Sequence, residues 1–139
     1  MLITSIPQYI QGITNAKIDL TATDAETLFT VPGDADFNAV VINSILVSND
    51  DASNASSITI TLVGDGLNSA GAVTSHNFVI FKSLAIAAKT TVEVLSKDLI
   101  LKSGESLTVQ PEHADRLHVV ASIQELSKTR VTTSALSRI

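Results

Sequence analysis

A chain of 139 residues is long enough for one domain with its own core and too short for two domains of ordinary size. Hydrophobic residues make up 45% of it and charged residues 17%, which excludes a disordered chain. The formal charge of −5 argues against a nucleic-acid-binding protein, and the absence of cysteine excludes disulfides, a thiolate nucleophile and a Cys-based zinc site. No apolar run reaches the roughly 20 residues of a membrane span, and the first residues lack the basic start of a signal peptide, so we expect neither an anchor nor export.

The first predicted strand begins at Lys17, where apolar and polar residues start to alternate. The alternation over Lys17–Thr23 has a period of two, which is typical of a strand with one buried face. A second strand is predicted over Leu28–Val31. It ends at Pro32–Asp34, which predicts a turn because proline presets the bend and glycine accepts positive φ.

The middle of the chain predicts two longer strands and a projecting loop. Ala39–Val47 is almost continuously apolar, so we expect both faces of this strand to be covered. The polar segment Asn49–Ser56 connects it to Ile58–Leu62, where isoleucine and leucine alternate with threonine. Gly64–Gly71 (GDGLNSAG) predicts a flexible loop that projects from the domain, because three glycines with polar residues cannot pack a core.

Five further short strands complete the prediction: Asn77–Phe81, Thr90–Leu95, Leu99–Leu101, Leu107–Val109 and Leu117–Ile123. Turns recur about every ten residues, and no segment predicts a helix of ten or more residues. We therefore expect an all-β fold over residues 17–126: a single antiparallel β-sandwich of about eight strands, jelly-roll-like or immunoglobulin-like.

The two ends of the chain differ from this central domain. Residues 1–16 carry no charged side chain and predict an extended, apolar N-terminal arm. Residues 127–139 have three basic side chains and no acidic one, so this C-terminal tail is +3 while the rest of the chain is −8. The predicted partner-binding residues are Ile3, Ile6, Tyr9, Ile10, Ile13, Lys128, Arg130 and Arg138. Fraying ends, or an ordinary edge strand formed by the arm, are the alternatives.

No arrangement of residues in the sequence predicts catalysis. His113 lies near Glu112 and Asp115, but the spacing is not that of a known metal site. We expect His113 to lie in a turn and His118 to face away from the core, both as ordinary surface residues. No serine lies in the Gly-x-Ser-x-Gly turn of a nucleophile elbow. We therefore expect no enzymatic activity.

Two groups of polar loop residues could serve as ligands. Asp34 with Asp36, or Asn49–Asp51 with Asn54, could offer oxygen atoms to calcium. The same residue types form Asx turns, which is the interpretation that we prefer. Gly64–Gly66 lacks both the following Lys-Ser or Lys-Thr and the helix of a phosphate-binding loop. We therefore expect no metal and no cofactor.

The segment Leu28–Gly33 (LFTVPG) resembles the "L-Y/F-T-V-P-x-G" segment of small β-sandwich virion proteins of tailed bacteriophages. Four later segments fit the same family: Val40–Asn49 (VVINSILVSN), Ser57–Val63 (SITITLV), Leu99–Val109 (LILKSGESLTV) and Leu117–Leu126 (LHVVASIQEL). The resemblance covers about residues 25–126. Asp34–Phe37 replaces the family's more usual Gly-Lys pair, and the arm and the tail have no counterpart.

The resemblance implies a structural protein of the phage particle, located in the virion and assembled in the host cytoplasm. Such proteins are usually symmetric homo-oligomers, commonly trimers, in which arms are exchanged between neighbours. The preferred function is a capsid decoration or cement protein that stabilises contacts between major capsid subunits, with no nucleic-acid or membrane partner. A tail, neck or fibre-base protein is the alternative.

A third alternative comes from another functional class. The projecting loop Gly64–Gly71 could serve as the contact of a carbohydrate-binding or adhesion module, although aromatic platforms are scarce in a chain with one tyrosine and four phenylalanines.

Overall fold

The computed structural model describes residues 9–33 and 37–127, and within these ranges all regular secondary structure is β-strand. No helix in this part of the chain is long and apolar enough to cross a membrane. The described strands are β1 (Tyr9–Asp19), β2 (Glu26–Thr30), β3 (Phe37–Asn49), β4 (Ser56–Leu67), β5 (Val73–Ile86), β6 (Thr91–Glu93), β7 (Leu99–Lys102), β8 (Ser106–Pro111) and β9 (Leu117–Ser127).

The strands form two antiparallel sheets. One sheet has the order β1-β9-β3-β6, with β7 also paired to β3, and the other has the order β2-β8-β4-β5. The first strand therefore pairs with the last, β2 pairs with β8, β3 pairs with β6 and β7, and β4 pairs with β5. This nested pairing is that of a jelly roll, in which β6 and β7 are two pieces of one strand. The predicted β-sandwich is confirmed, and its strand order is that of the jelly roll.

The core between the two sheets is built from valine, isoleucine and leucine. Alternation along β4 turns Ile58 and Ile60 inward, and alternation along β9 does the same for Val119, Ala121 and Ile123. Among the described side chains, the largest fully buried ones are all aliphatic. Two of the few aromatic residues, the partly buried Phe29 and Phe81, pack against this aliphatic core at its margin.

The connections between strands gather at two ends of the sandwich. The β1–β2, β3–β4, β5–β6 and β8–β9 connections lie at one end, which we call the loop end. The β4–β5 and β7–β8 connections lie at the other end, where β2 ends and β3 begins; we call it the hairpin end. Tyr9 pairs with Ser127 at the hairpin end. The described chain therefore begins and ends on adjacent strands at this end.

The predicted loop Gly64–Gly71 is wrong over its first half. Gly64–Leu67 forms the last part of β4 and pairs with β5, so the turn itself is only Asn68–Ala72. The glycines belong in this strand because large side chains lie over them: a Cβ atom on Gly66 would overlap the ring of Phe78. Glycine here allows close packing rather than a flexible loop.

Residues 9–16 of the predicted arm lie within β1, which is an edge strand paired with β9. The pairing runs from Tyr9 to Asp19, with a bulge between Ile10 and Gly12. The predicted strand from Lys17 thus starts eight residues earlier, at Tyr9, and ends at Asp19 rather than Thr23. The remaining arm, residues 1–8, and residues 128–139 of the tail lie outside the described residues.

Candidate interaction surfaces

The β4–β5 hairpin extends beyond its own sheet at the hairpin end. β4 pairs with β8 only as far as Val63, so Gly64–Leu67 is paired to β5 alone. Leu67 and Val73 lie opposite each other beside the turn and are 67% and 73% exposed. The tip of the hairpin therefore presents an apolar surface to solvent.

A groove of about 340 Å³ separates this hairpin from the β7–β8 turn. It is lined by Val63–Asp65 on one side and Lys102–Glu105 on the other. The Glu105 Oε1 atom accepts a hydrogen bond from the Lys102 backbone N–H at 2.7 Å, so part of this carboxylate is used within the turn. The charged side chains of its lining are Asp65, Lys102 and Glu105, and the lining contains no histidine.

A second surface, which combines apolar and charged side chains, lies on the outer side of the β1-β9-β3 sheet, and we call it the sheet face. One row of cross-strand neighbours consists of Ile13, Gln124, Val41 and Ile100. A second row, nearer the loop end, consists of Lys17, Val120, Leu46 and Glu93. Ile13, Leu46 and Ile100 are 78%, 40% and 61% exposed. These three belong to the small set of large hydrophobic side chains that the described surface exposes.

A third row of the same face brings together residue types that occur in hydrolases. Asp19 pairs with His118, and His118 pairs with Ser48 on β3. The His118 Nε2 atom lies 3.1 Å from the Asp19 Oδ1 atom. No hydrogen bond joins Ser48 to His118 in this part of the structure, and the row lies on an open sheet. It therefore lacks the nucleophile–base contact that activates a serine.

The structure places the predicted histidines as expected. Leu117 and Val119 are buried on either side of His118, whose side chain is exposed on the outer face, so this prediction is confirmed. His113 lies in the β8–β9 connection, where its Nδ1 atom is 3.6 Å from the Glu112 carboxylate. Across the described residues, no three acidic or histidine side chains are grouped to hold a metal ion.

The polar loop after β3 is held by its own side chains. The Asn49 Oδ1 atom accepts from the Asp51 N–H at 2.9 Å, and the Asp51 Oδ2 atom accepts from the N–H groups of Ser53 and Asn54 at 3.0 and 2.7 Å. These backbone donors hold the pKa of Asp51 below its ordinary value. The Asx-turn interpretation of this segment is therefore confirmed. Asp34 and Asp36 lie outside the described residues.

The predicted partner-binding residues have three different outcomes. Ile13 is exposed on the sheet face. Tyr9 and Ile10 are placed in β1 by their backbone pairing with β9, and their side chains are not described. The other five residues are outside the described ranges: Ile3, Ile6, Lys128, Arg130 and Arg138. The rest of the sheet face and the exposed hairpin tip have no signal in the local sequence, because both depend on which distant strands become neighbours.

Comparison with protein-family models gave no match, and comparison with curated proteins gave none. Among solved structures, the chain is similar to a protein of the T13 particle of infectious bursal disease virus, with 8% identity and a TM-score of 0.44. It is also similar to a pentameric capsid protein isolated from metagenomic phage sequences, with 22% identity and a TM-score of 0.35. Each similarity covers 84% of this chain, and the chain spans 31% and 64% of the two proteins, respectively.

Proposed function

We propose that this chain is a non-enzymatic structural protein of a bacteriophage virion, and specifically a capsid decoration protein that stabilises contacts between major capsid subunits. The jelly roll serves viral capsids, lectins and cupins alike, so the proposal depends on the surface and not on the fold alone. The resemblance of five segments between Leu28 and Leu126 to phage virion proteins supports the choice of a phage particle.

The observation that carries the proposal is the composition of the hairpin end. Exposed Leu67 and Val73 lie there beside a charged groove, and Tyr9 and Ser127 pair at the same end in the other sheet. An apolar tip, a charged groove and the two ends of the described chain therefore share one end of the sandwich. Contact surfaces of proteins commonly combine an apolar centre with a polar rim in this way.

The two chain ends would extend this contact. Ile3, Ile6, Tyr9 and Ile10 supply apolar side chains, and Lys128, Arg130 and Arg138 supply positive charge on an otherwise acidic chain. We propose that the N-terminal segment packs on a neighbouring subunit while the basic tail contacts acidic groups of the shell. Many such contacts on one particle add up through multivalency, even where each one is weak.

The test is cosedimentation of the full chain with empty shells of a phage that lacks this protein. We expect saturable binding at hundreds of copies per shell. The double variant L67D/V73D places two charges at the apolar tip and should weaken binding more than about tenfold, because burying unpaired carboxylates costs several kcal/mol. The matched control A87D adds a charge at the loop end, where Ala87 is exposed, and should bind like the unmodified chain.

The copy number separates this function from the alternatives. A dozen copies or fewer in purified particles would indicate a tail, neck or fibre-base protein. Absence from particles together with binding on a glycan array would indicate a carbohydrate-binding module. Equal shell binding by L67D/V73D and A87D would exclude the hairpin end as the contact.

A further inference from the structure

The sheet face is complementary in charge to a second copy of itself. In the second row, Lys17 lies on β1 at one side of the sheet and Glu93 lies on β6 at the other, with Val120 and Leu46 between them. Within the described part of the chain, Lys17 has no ion-pair partner. We propose that this face is a twofold interface at which two copies of the chain pack sheet against sheet.

The register of the strands defines which residues meet. Rotation about a twofold axis parallel to the strands places β1 over the partner's β6 and β7, and β9 over the partner's β3. Lys17 then faces the partner's Glu93, and Val120 faces the partner's Leu46. Each charge pair occurs twice by symmetry, as in every isologous contact. Packed sheets align within about 30° and lie about 10 Å apart, which keeps these pairs opposite each other.

The first row becomes the apolar side of the same interface. Ile13 faces the partner's Ile100, and Gln124 faces the partner's Val41. This contact would cover Ile13 and Ile100, which are among the most exposed hydrophobic side chains of the described surface. The intervening row contains Asn15, Ser122 and Ser44, which are uncharged.

The other possible twofold axis fits less well. An axis in the plane of the interface but perpendicular to the strands would place Lys17 over the partner's Ile13 and Glu93 over the partner's Ile100. Both charges would then be buried against apolar side chains without partners, which is costly. The charges of these two rows therefore favour the axis parallel to the strands.

The expected size of the contact matches a weak dimer. Four strands about 4.8 Å apart and rows spanning about seven residues at about 3.3 Å give a face of roughly 19 by 23 Å per copy. Two such faces bury on the order of 1,000 Å², the lower limit for a specific interface. Association should therefore be measured at protein concentrations from about 1 to several hundred µM.

Sedimentation equilibrium of the full chain tests the proposal, and the unmodified protein should form dimers. K17E places a second carboxylate opposite the partner's Glu93, and E93K places a second ammonium group opposite the partner's Lys17. Each like-charge contact occurs twice by symmetry, so each variant alone should associate at least about tenfold more weakly. In a heterodimer of K17E and E93K, one contact is the original pair of Lys17 and Glu93. In the other contact the charges are exchanged, with glutamate at position 17 and lysine at position 93. Both contacts are attractive, so an equimolar mixture should associate better than either variant alone.

A second pair of variants avoids substitution of Glu93, which makes hydrogen bonds within its own chain. I13K and I100E change exposed side chains that face each other across the interface; each should weaken self-association, and their mixture should form a heterodimer. V79K alters an exposed valine on the other sheet, 49% exposed against 78% for Ile13 and 61% for Ile100, and should leave association unchanged.

The outcomes separate this proposal from the virion function. A dimer in solution supports the twofold interface. A hexamer supports it as well, because a hexamer combines this twofold contact with a threefold one. A monomer throughout, a simple trimer, or mixtures that fail to associate better than their components would overturn it. Shell binding is not part of the readout, so either proposal can fail without the other.

Discussion

Glu93 holds the start of the break between β6 and β7 against the neighbouring strand β3. β6 ends at this residue, and its carboxylate accepts hydrogen bonds from the backbone N–H of Ile45 at 2.8 Å, the backbone N–H of Leu95 at 3.2 Å and the Ser44 hydroxyl. Partial burial raises the pKa of Glu93, but the three hydrogen bonds outweigh it and hold the pKa below its ordinary value. The side chain thus replaces strand pairing that the break removes.

We expect E93Q to lower the free energy of unfolding by about 1 kcal/mol at pH 7, because a charged acceptor is lost at a solvent-accessible site. Since the pKa is lower in the folded state, the stabilisation is present above the unfolded-state pKa and is lost as the pH falls from about 5 to 3. Urea unfolding at pH 7 and pH 3 measures both effects. D98N, at an exposed position, is the control. A difference between E93Q and the unmodified chain that persists at pH 3 would contradict this role.

The role of a single residue could be predicted from the sequence where it depends only on residues nearby in the chain. The Asx turns around Asn49 and Asp51 follow from short-range chemistry, and the outward orientation of His118 follows from alternation with Leu117 and Val119. The role of Glu93 was not predictable, because its donors on Ser44 and Ile45 are almost fifty residues away along the chain.

The β4–β5 hairpin depends on the space that Gly66 leaves for Phe78. We expect G66V to displace the Phe78 ring and to destabilise the hairpin by about 1–3 kcal/mol, as overpacking does elsewhere. Hydrogen exchange of residues 64–76 should rise in this variant. The control is G33A, because a Cβ atom on Gly33 meets nothing within 4 Å. G66A adds a smaller side chain than G66V, and the double variant G66A/F78L should exchange its backbone amides as slowly as the unmodified chain. Fast exchange in G66A/F78L would show that the Phe78 ring does not cause the destabilisation.

The positions of strands could be predicted from the sequence where only one face of the strand is buried. The alternation in Ile58–Leu62 and Leu117–Ile123 gave strands at the right places, since inward residues there are aliphatic and outward ones are mostly polar. β1 was placed too late because Tyr9–Ala16 has no charged residue to mark its outer side. The glycines at the end of β4 predict a loop, but they make room for Phe78 of β5 and Glu105 of the β7–β8 turn, and no local pattern reveals this.

At the scale of the molecule, the sheet that carries the exposed face requires β9. This strand lies between β1 and β3 and pairs with both. We expect a chain ending at Ser127 to unfold cooperatively with a Tm within a few degrees of the full chain, and a chain ending at Arg116 to lack cooperative unfolding. Without β9, β1 loses the strand it pairs with and β3 loses its longest pairing, keeping only the short β6 and β7. Circular dichroism and size-exclusion chromatography measure this, and a cooperatively folded chain ending at Arg116 would contradict it.

Neither the strand order nor the sheet face could be predicted from the sequence. The second row of the sheet face combines Lys17, Leu46, Glu93 and Val120, which become neighbours only through the nested pairing of the roll. The composition predicted a two-layered β-fold that acts by surface contact, but a surface assembled from four distant strands has no signature in any one of them.

The central position of β9 also fixes when this protein can fold. A ribosome adds about 5–20 residues per second, so synthesis of the chain takes on the order of 10–30 s. During most of that time β1 and β3 have been translated while the strand that belongs between them has not. The roll can therefore close only after β9 has been translated, and until then the edges of β1 and β3 that β9 will cover are open to strands of other nascent chains.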